Sequence, residues 1–293
     1  MDLKRVGVWT FAFELQPWSA VARYAAELED MGWGAIWVPE AVGREALAQS
    51  AMLLGATRSI VIATGIANIY ARDAMTSATG HLTLEEAYPG RFLFGLGVSH
   101  AHLVHHLRGH DYSKPYTKMV AYLDAMEKVT YISPRPASPP QLALAALGPK
   151  MLALAAERTW GAHPYFVPVA HTAEARRVMG SKGKLAPEQA FVLETDPVRA
   201  RAIAREHMEM YLRAPNYINN LKRLGYADED IANGGSDRLV DDIVVWGTPE
   251  QVAERVAAHH AAGADHVCLQ ALSADPKAFP IDAYRVMAKH LPV

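Results

Sequence analysis

Residues 17–40 read PWSAVARYAAELEDMGWGAIWVPE and contain one helical segment followed by one short apolar run. Pro17 stands where the helix would begin and Gly32 where it would end, which follows the preference for proline in the first turn and glycine after the last. Between them, apolar residues recur at the spacing of a helix that buries one face. Residues 35–39 lack polar alternation, as expected of a parallel strand covered on both faces. The segment therefore predicts one helix–strand unit of an α/β fold.

The same alternation of short β-rich runs and longer helical segments repeats along the chain. Thr248-Pro249-Glu250-Gln251 has the form of a capping box with proline in the first turn, and the helix that it begins ends at Gly263. The β-rich runs are residues 5–9, 35–39, 60–67, 91–97, 141–146, 162–167, 189–194 and 265–272. These units predict an α/β fold of the (β/α)8 TIM-barrel type, with the active site at the C-terminal ends of the strands. An open doubly wound sheet is the alternative architecture.

Two longer connections interrupt the regular spacing of the runs. They are residues 98–113, after the fourth run, and the helical residues 214–242, before the last unit. Loops that lengthen at the C-terminal ends of barrel strands usually shape the substrate pocket. Residues 243–246 are apolar, but we predict an extended lead-in to Thr248 there, because a ninth barrel strand would be unusual. We expect residues 1–293 to form a single domain.

The composition of the chain favours small-molecule partners. Lys and Arg number 29 against 31 Asp and Glu, a formal charge of -2, so the sequence has no electrostatic footprint for nucleic acid or an acidic membrane. The one cysteine, Cys268, lies in an apolar run and is expected to be buried and inert. The sequence shows no apolar stretch of signal-peptide or transmembrane length. We expect a cytoplasmic protein that binds a small-molecule substrate.

Polar residues directly after the second and fourth runs are candidates for acid/base chemistry, because strand ends face the mouth of such a barrel. Glu40 directly follows the second run, and its other interpretation is a helix-capping or salt-bridging acid. His100 follows the fourth run, and an unperturbed imidazole has a pKa of about 6.5, close to working pH. A loop histidine is also often simply solvated.

Two further strand ends indicate a bound ring and a bound phosphate. Gly65 lies inside the third run, where a glycine marks a bulge or a close approach of the backbone to a ligand, or makes room for a neighbour. Gly148 and Pro149 make a tight strand-to-helix turn, and free amides at a helix start bind anions. Lys150 adds a cation beside that turn, although many helices begin this way without a ligand. Tyr165 either lines the neighbouring wall or belongs to the core.

The fourth run and the loop after it suggest two other sites, which we reject. The Gly-Leu-Gly of residues 95–97 lacks the third glycine that a dinucleotide fingerprint needs. Five of the 13 histidines fall between His100 and His110, and His102 and His106 would share one face of a helix. Metal sites in barrels draw ligands from several strands, and the other strand ends offer no companion set. We therefore predict no metal site.

Six motifs, in their order and spacing, resemble the luciferase-like oxidoreductase superfamily, and within it the branch that uses the deazaflavin coenzyme F420. The resemblance spans nearly the whole chain. The motifs are GWGAIWVPE (32–40), TGI (64–66) with YAR (70–72), GRFLFGLG (90–97), LGPK (147–150), GTPEQV (247–252) and AGADHV (262–267). The resemblance implies a (β/α)8 barrel that binds the cofactor ring at the strand C-termini and commonly pairs as a homodimer.

The resemblance also implies site residues. A cis peptide at Gly65-Ile66 would support the ring, and the backbone at Gly148 and the two residues after Pro149 would hold the phosphate. The implied cofactor-binding residues are Thr64, Gly65, Ile66, Asn68, Ser99, Leu147, Gly148, Lys150, Met151 and Tyr165. For catalysis we expect hydride transfer between the ring and a small organic substrate, with His100 moving the accompanying proton and Glu40 orienting the ring or the substrate.

The chain departs from the best-understood members of this branch at two catalytic positions. Those members have a histidine directly after the acid of the second strand and a glutamate after the fourth strand. Here the two positions hold Ala41 and His100. The resemblance therefore does not extend to their oxidation of sugar phosphates, and the substrate stays open.

Two alternatives to an F420-dependent enzyme remain at this point. One is a monooxygenase of the same superfamily that uses flavin mononucleotide (FMN), and the other is a non-catalytic flavin-binding barrel. The deazaflavin coenzyme carries an anionic glutamate tail, so basic residues along the mouth, such as Arg44, Arg72 or Lys150, would favour it. Titratable groups at the mouth, such as Glu40 and His100, count against the non-catalytic barrel.

Overall fold

The strands of the protein form one parallel sheet that closes into a barrel. A computed structural model describes residues 1–275 and 277–293. The strands are β1 (Val6–Trp9), β2 (Ala35–Val38), β3 (Val61–Thr64), β4 (Ala67–Asn68), β5 (Phe92–Gly97), β6 (Gln141–Leu144), β7 (Gly161–Ala162), β8 (Lys184–Leu185), β9 (Glu188–Val192), β10 (Val244–Trp246) and β11 (Val267–Ala271).

Neighbouring strands pair in the order β10-β9-β11-β1-β2-β3-β5-β6-β7-β8. Only Ala186 and Pro187 separate β8 from β9, so one stretch of chain pairs with β7 at its start and with β11 further on. This stretch closes the barrel between β7 and β11. Strand β4 continues β3 beyond residues 65 and 66 and pairs with β5. The predicted (β/α)8 barrel is confirmed.

Helices follow the strands and cover the outside of the barrel. They are α1 (Trp18–Asp30), α2 (Ala46–Ala56), α3 (Ala74–Ala87), α4 (Pro115–Glu127), α5 (Pro149–Arg158), α6 (Val169–Met179), α7 (Pro197–Met208), α8 (Pro215–Arg223), α9 (Asp228–Ile231), α10 (Asp237–Ile243), α11 (Pro249–Ala261) and α12 (Ile281–Met287). No helix in the described ranges is both long and apolar enough to span a membrane.

Sequence signals explain where several of these helices begin and end. Pro17 precedes α1, and Gly32 follows it with a φ of +96°, a conformation that glycine adopts without strain. Thr248 and Gln251 form the predicted capping box at the start of α11. The Asp196 side chain accepts hydrogen bonds from the first amides of α7. These residues define the ends of helices that pack on the sheet.

Side chains of the strands alternate between the inside of the barrel and the layer beneath the helices. Trp37 and Cys268 are completely buried inside the barrel, whereas Ile36 and Leu269 pack in the outer layer. Burial of Cys268 agrees with its predicted role as a small apolar side chain. Neighbouring residues of a strand face opposite layers. The position at which a strand ends therefore determines whether its last side chain points into the mouth of the barrel or towards the helices.

The structure corrects two strand predictions. Residues 244–246 were expected to be an extended lead-in, but they form β10, which pairs in parallel with residues 190–192 of β9. The C-terminal part of β9 has a free edge for β10 because β7 is only two residues long. The sixth run was expected to continue to residue 167, but its strand ends at Ala162, and Phe166 has a φ of +59°, which turns the backbone out of the sheet.

The two predicted insertions lie at the mouth side of the barrel. Residues 98–113 contain a π-helix, His102–Leu107. Residues 214–242 contain α8, α9, a short 3-10 helix, Ala232–Gly234, and most of α10, so the predicted helical character is confirmed. Helix α8 reaches back over the end of β5, which makes it part of the candidate site.

Candidate functional site

A cavity of about 820 Å³ opens at the C-terminal ends of the strands. Ligand pockets of small-molecule enzymes fall in this size range, and in barrels of this type they lie at this end. Its walls come from residues that follow β1, β2, β3, β5, β6, β7 and β11, and from α7 and α8. Nine of the predicted site residues line it: Glu40, Gly65, Ile66, Ser99, His100, Leu147, Gly148, Met151 and Tyr165.

Three residues predicted to bind the cofactor lie outside the cavity lining. Thr64 precedes Gly65 and therefore faces away from the barrel interior, where its hydroxyl donates to the carbonyl of Gly95 at 2.7 Å. The Asn68 side chain is buried and accepts from the amide of Tyr70 at 2.9 Å. Both side chains bind protein backbone. The Lys150 side chain is exposed at the start of α5.

A backbone bulge between β3 and β4 forms one wall of the cavity. The peptide bond between Gly65 and Ile66 is cis, as the resemblance implied. The indole nitrogen of Trp9 donates to the carbonyl of Gly65 at 3.1 Å. A Cβ atom at position 65 would lie 2.5 Å from that nitrogen and 3.1 Å from Nε2 of His163. The close approach of two side chains therefore requires glycine here and leaves flat backbone facing the cavity.

Glu40 binds the bulge. Its amide donates to the carbonyl of Ile66 at 3.1 Å, and its Oε2 accepts from the amide of Asn68 at 2.7 Å. Its carboxylate also pairs with Arg72, and the two side chains are only 5% and 7% exposed. These partners occupy both carboxylate oxygens. Glu40 was expected to orient the ring or the substrate, and in the structure its amide and its carboxylate contact the bulge from two sides.

His100 lies at the cavity wall with a partner on α8. Its Nδ1 is 3.2 Å from Oδ1 of Asn216, and its ring centroid is 5.4 Å from that of Tyr217. Burial lowers the pKa of the His100 imidazole below its usual 6.5, although the Asn216 hydrogen bond opposes part of this shift. A neutral imidazole at the cavity wall can accept a proton at neutral pH.

The start of α5 forms the turn predicted to bind phosphate. The carbonyl of Leu147 accepts from Arg223 at 3.0 Å and lies 2.8 Å from Nε2 of His171, which fixes the turn from outside. In the part of the chain that the structure describes, a Cβ built at Gly148 would meet no heavy atom within 4 Å apart from those of Gly148 and its two chain neighbours. The amide of Met151 donates to the carbonyl of Gly148 within the turn, so Gly148 and Lys150 are the remaining amides for a phosphate.

His163 borders the cavity and was not among the predicted site residues. Its Nδ1 lies 2.7 Å from the carbonyl of Ala186, and its ring stacks on Trp37 at 4.4 Å. Its Nε2 is buried and has no hydrogen-bond partner among the described residues. Burial lowers the pKa of His163 to about 4, so the ring is neutral. Its place in the sixth run, one residue after the strand, was the available signal.

A network of hydrogen-bonded side chains lies at the cavity floor. The hydroxyl of Tyr165 donates to Oε1 of Gln270 at 2.9 Å and lies 2.9 Å from the hydroxyl of Tyr211. Glu188 is buried nearby, where its Oε2 accepts from the amide of Phe166 at 3.2 Å. Burial raises the pKa of Glu188 to about 8, so this acid is protonated at neutral pH. Sequence reasoning predicted Tyr165 but missed Tyr211, Gln270 and Glu188, because they come from distant segments of the chain.

The three basic residues proposed for an anionic cofactor tail do not line the cavity. Arg44 donates to the carbonyls of Phe13 and Gln16 at 2.5 and 2.6 Å. Arg72 pairs with Glu40 and Glu45, and Lys150 lies outside. Charged residues at the outer edge of the cavity are Glu206, Glu209, Arg213 and Asp275.

Three histidine rings of the first insertion lie close to one another. The rings of His102 and His106 are 5.3 Å apart, and those of His105 and His106 are 5.1 Å apart. Within residues 1–275 and 277–293, no group of three or more His, Cys, Asp or Glu side chains has an arrangement that could hold a metal ion.

The closed parallel barrel and the cavity at its strand ends define a TIM-barrel protein with a small-molecule site. A model of the luciferase-like monooxygenase family matches residues 3–266, and the chain belongs to this family. The family predicted from the motifs is confirmed.

Individual relatives and solved structures extend this result. The chain is 24% identical, over 89% of its length and 93% of the relative's, to a Mycobacterium tuberculosis protein that carries the name of a coenzyme F420-dependent oxidoreductase. An F420-dependent secondary alcohol dehydrogenase in complex with an F420-acetone adduct has a TM-score of 0.78 at 18% identity, covering 99% of this chain and 98% of the other. The oxygenating constituent of 3,6-diketocamphane monooxygenase of Pseudomonas putida, in complex with FMN, has a TM-score of 0.71 at 15% identity, covering 97% and 96%.

Proposed function

We propose that this protein is an oxidoreductase that uses coenzyme F420 to transfer a hydride to or from a small organic substrate. The observation that carries the proposal is that one cavity unites the Gly65-Ile66 bulge, the turn at Gly148 and the imidazole of His100. The Mycobacterium tuberculosis relative and the secondary alcohol dehydrogenase support the choice of cofactor, because both are named for F420.

The residues around the cavity fit a flat ring with a phosphate tail. The bulge offers flat backbone to one face of a ring, and the start of α5 offers the amides of Gly148 and Lys150 to a phosphate. When bound, the deazaflavin would supply the carbon that accepts or donates the hydride. The protein would orient the substrate, exclude water and move the accompanying proton at Nε2 of His100. Glu40 would hold the bulge in place.

A specific observation favours a second candidate, an FMN-dependent monooxygenase. Arg44, Arg72 and Lys150 all lie outside the cavity lining or are engaged by protein groups, so these residues provide no binding site for a glutamate tail. FMN carries a phosphate without such a tail. The FMN complex among the similar structures supports this candidate.

Titration of the purified protein with each oxidised cofactor separates the two candidates. Fluorescence quenching would measure binding, and we expect tighter binding of coenzyme F420. Tighter binding of FMN would favour the second candidate, and binding of neither would overturn the proposal.

A pair of variants tests the phosphate turn. Gly148→Asp places a negative charge beside the expected phosphate, whereas Gly148→Asn is its neutral control of nearly equal shape, and both residues suit a helix start. We expect Gly148→Asp to weaken cofactor binding at least about tenfold relative to Gly148→Asn, about 1.4 kcal/mol. Equal binding by the two variants would place the phosphate elsewhere.

The oligomeric state and location remain predictions as well. The resemblance implies a homodimer, which light scattering of the purified chain would measure. The expected cytoplasmic location would be tested by fractionating the cells that produce the protein.

A further inference from the structure

Helix α8, in the second insertion, brings two side chains to His100. Pro215 begins the helix, and Asn216 and Tyr217 are the next two residues. His100 belongs to the loop after β5, and it lies 116 residues before Asn216 in the sequence. The contact between them determines the hydrogen bonding and the burial of the imidazole.

Asn216 contacts only one of the two ring nitrogens. Its Oδ1 lies 3.2 Å from Nδ1 of His100, and an amide oxygen can only accept a hydrogen bond. In a neutral imidazole, Nδ1 must therefore carry the hydrogen, and Nε2 must keep the lone pair. Because His100 lines the cavity, this tautomer makes Nε2 the atom that can take a proton from a bound molecule.

Tyr217 packs against the partly buried imidazole of His100. The tyrosine is only 7% exposed and is held between Phe166, at 5.3 Å, and Tyr211, at 5.3 Å between ring centroids. Polar groups beside His100 include the Asn216 amide and the Tyr217 phenol from α8, and Tyr112 nearby donates to the carbonyl of Ser99 at 2.9 Å. These three neighbours are uncharged at neutral pH and therefore do not favour the protonated imidazole.

We propose that Asn216 is a positioning residue that sets the tautomer of His100, and that Tyr217 keeps the imidazole buried. The barrel would supply the imidazole of the base, and helix α8 would fix its tautomer. The catalytic meaning of this proposal rests on the proposed function. The tautomer itself is a property of the protein that can be measured without cofactor or substrate.

Nitrogen-15 NMR of the full chain, with imidazole nitrogens labelled, tests the proposal directly. Loss of one signal set in His100→Gln assigns His100. In the unmodified protein we expect the hydrogen on Nδ1. Asn216→Leu removes the acceptor without adding charge, and we expect the population with the hydrogen on Nε2 to rise.

A charged variant and its control give a second measurement. In Asn216→Asp the carboxylate would accept from Nδ1, and we expect the pKa of His100 to rise by about one unit or more. Asn219→Asp adds the same charge to an exposed position of the same helix and should leave that pKa nearly unchanged. An unchanged tautomer in Asn216→Leu, or equal pKa values in the two aspartate variants, would overturn the proposal.

The NMR result and the proposed function can fail separately. If the spectra agree with the proposal but His100→Ala keeps full turnover, the tautomer assignment stands and the catalytic role of His100 is wrong. If the spectra disagree while His100→Ala is inactive, His100 is the base but Asn216 does not set its tautomer.

Discussion

The guanidinium of Arg72 and the carboxylate of Glu40 form an ion pair in which both side chains are almost completely buried. Glu40 in turn holds the Gly65-Ile66 bulge through the amide of Asn68. A buried charge that loses its partner is far more costly than an exposed one, because water cannot replace that partner. The stability of the cavity wall therefore depends on this pair.

Replacing Arg72 tests that dependence. We expect Arg72→Met to lower the free energy of unfolding by about 3–5 kcal/mol, since it leaves Glu40 buried and unpaired. Urea denaturation would measure the change. Adding Glu40→Gln to Arg72→Met removes the unpaired charge and should restore part of the loss. Arg213→Met removes an exposed ion pair with Glu209 and serves as the control, for which little change is expected. Equal stability of Arg72→Met and the unmodified protein would contradict this prediction.

Replacing His100 tests the base. We expect His100→Ala to lower kcat by about 10²–10⁴-fold, the usual contribution of a general base, and to leave cofactor binding nearly unchanged. Stopped-flow measurement of the hydride-transfer step would report the loss. His102→Ala, at an exposed position of the neighbouring π-helix, is the matched control. Unchanged turnover in His100→Ala would remove His100 from the mechanism.

The same step should depend on pH in a defined direction. Burial lowers the pKa of His100, and a base must be neutral to accept a proton. In the direction that needs the base, the rate should be constant near neutral pH and fall as the pH drops through a pKa below 6.5. A pH–rate profile of the loaded enzyme measures this value. A rate that already falls at a pH above 7 as the pH is lowered would point to another group.

Replacing Gly65 tests the bulge. In Gly65→Ala the new Cβ would lie 2.5 Å from the indole nitrogen of Trp9, so the bulge or the indole must shift. We expect a loss of about 1–3 kcal/mol in stability, as for other overpacked sites, and weaker cofactor binding in the fluorescence titration. Gly55→Ala in α2 would bring its Cβ to an ordinary 3.4 Å from Tyr88 and should preserve binding. Equal cofactor affinities of the two variants would show that the ring does not rest on the bulge.

Replacing Glu188 tests its protonation. Burial raises its folded-state pKa from 4.5 to about 8, so its contribution to stability is complete below pH 4.5 and is lost as the pH rises to 8. Glu188→Gln keeps the shape and cannot ionise. We therefore expect this variant to be more stable than the unmodified protein at pH 8, by roughly 2–4 kcal/mol, with a smaller difference at pH 5. Unfolding at several pH values measures the difference, and one that does not grow with pH would show that Glu188 is ionised in the fold.

The sequence predicted the barrel well because its strands are buried on both faces and leave continuous apolar runs. It missed β10 because the edge that this strand fills exists only once β7 ends after two residues. Alternation along β3 would have shown that Thr64 faces away from Gly65. The partners of the site residues were beyond sequence reasoning: Arg72 is 32 residues from Glu40, and Asn216 is 116 residues from His100.

Helix α8 and the barrel contribute different parts of the candidate site. The bulge and the α5 turn belong to the barrel, whereas the neighbour of the base belongs to an insertion that connects α7 with the last βα unit. Changes confined to Asn216 and Tyr217, which line the cavity, would thus alter the surroundings of the base, while Arg223 of the same helix would keep its hydrogen bond to the α5 turn.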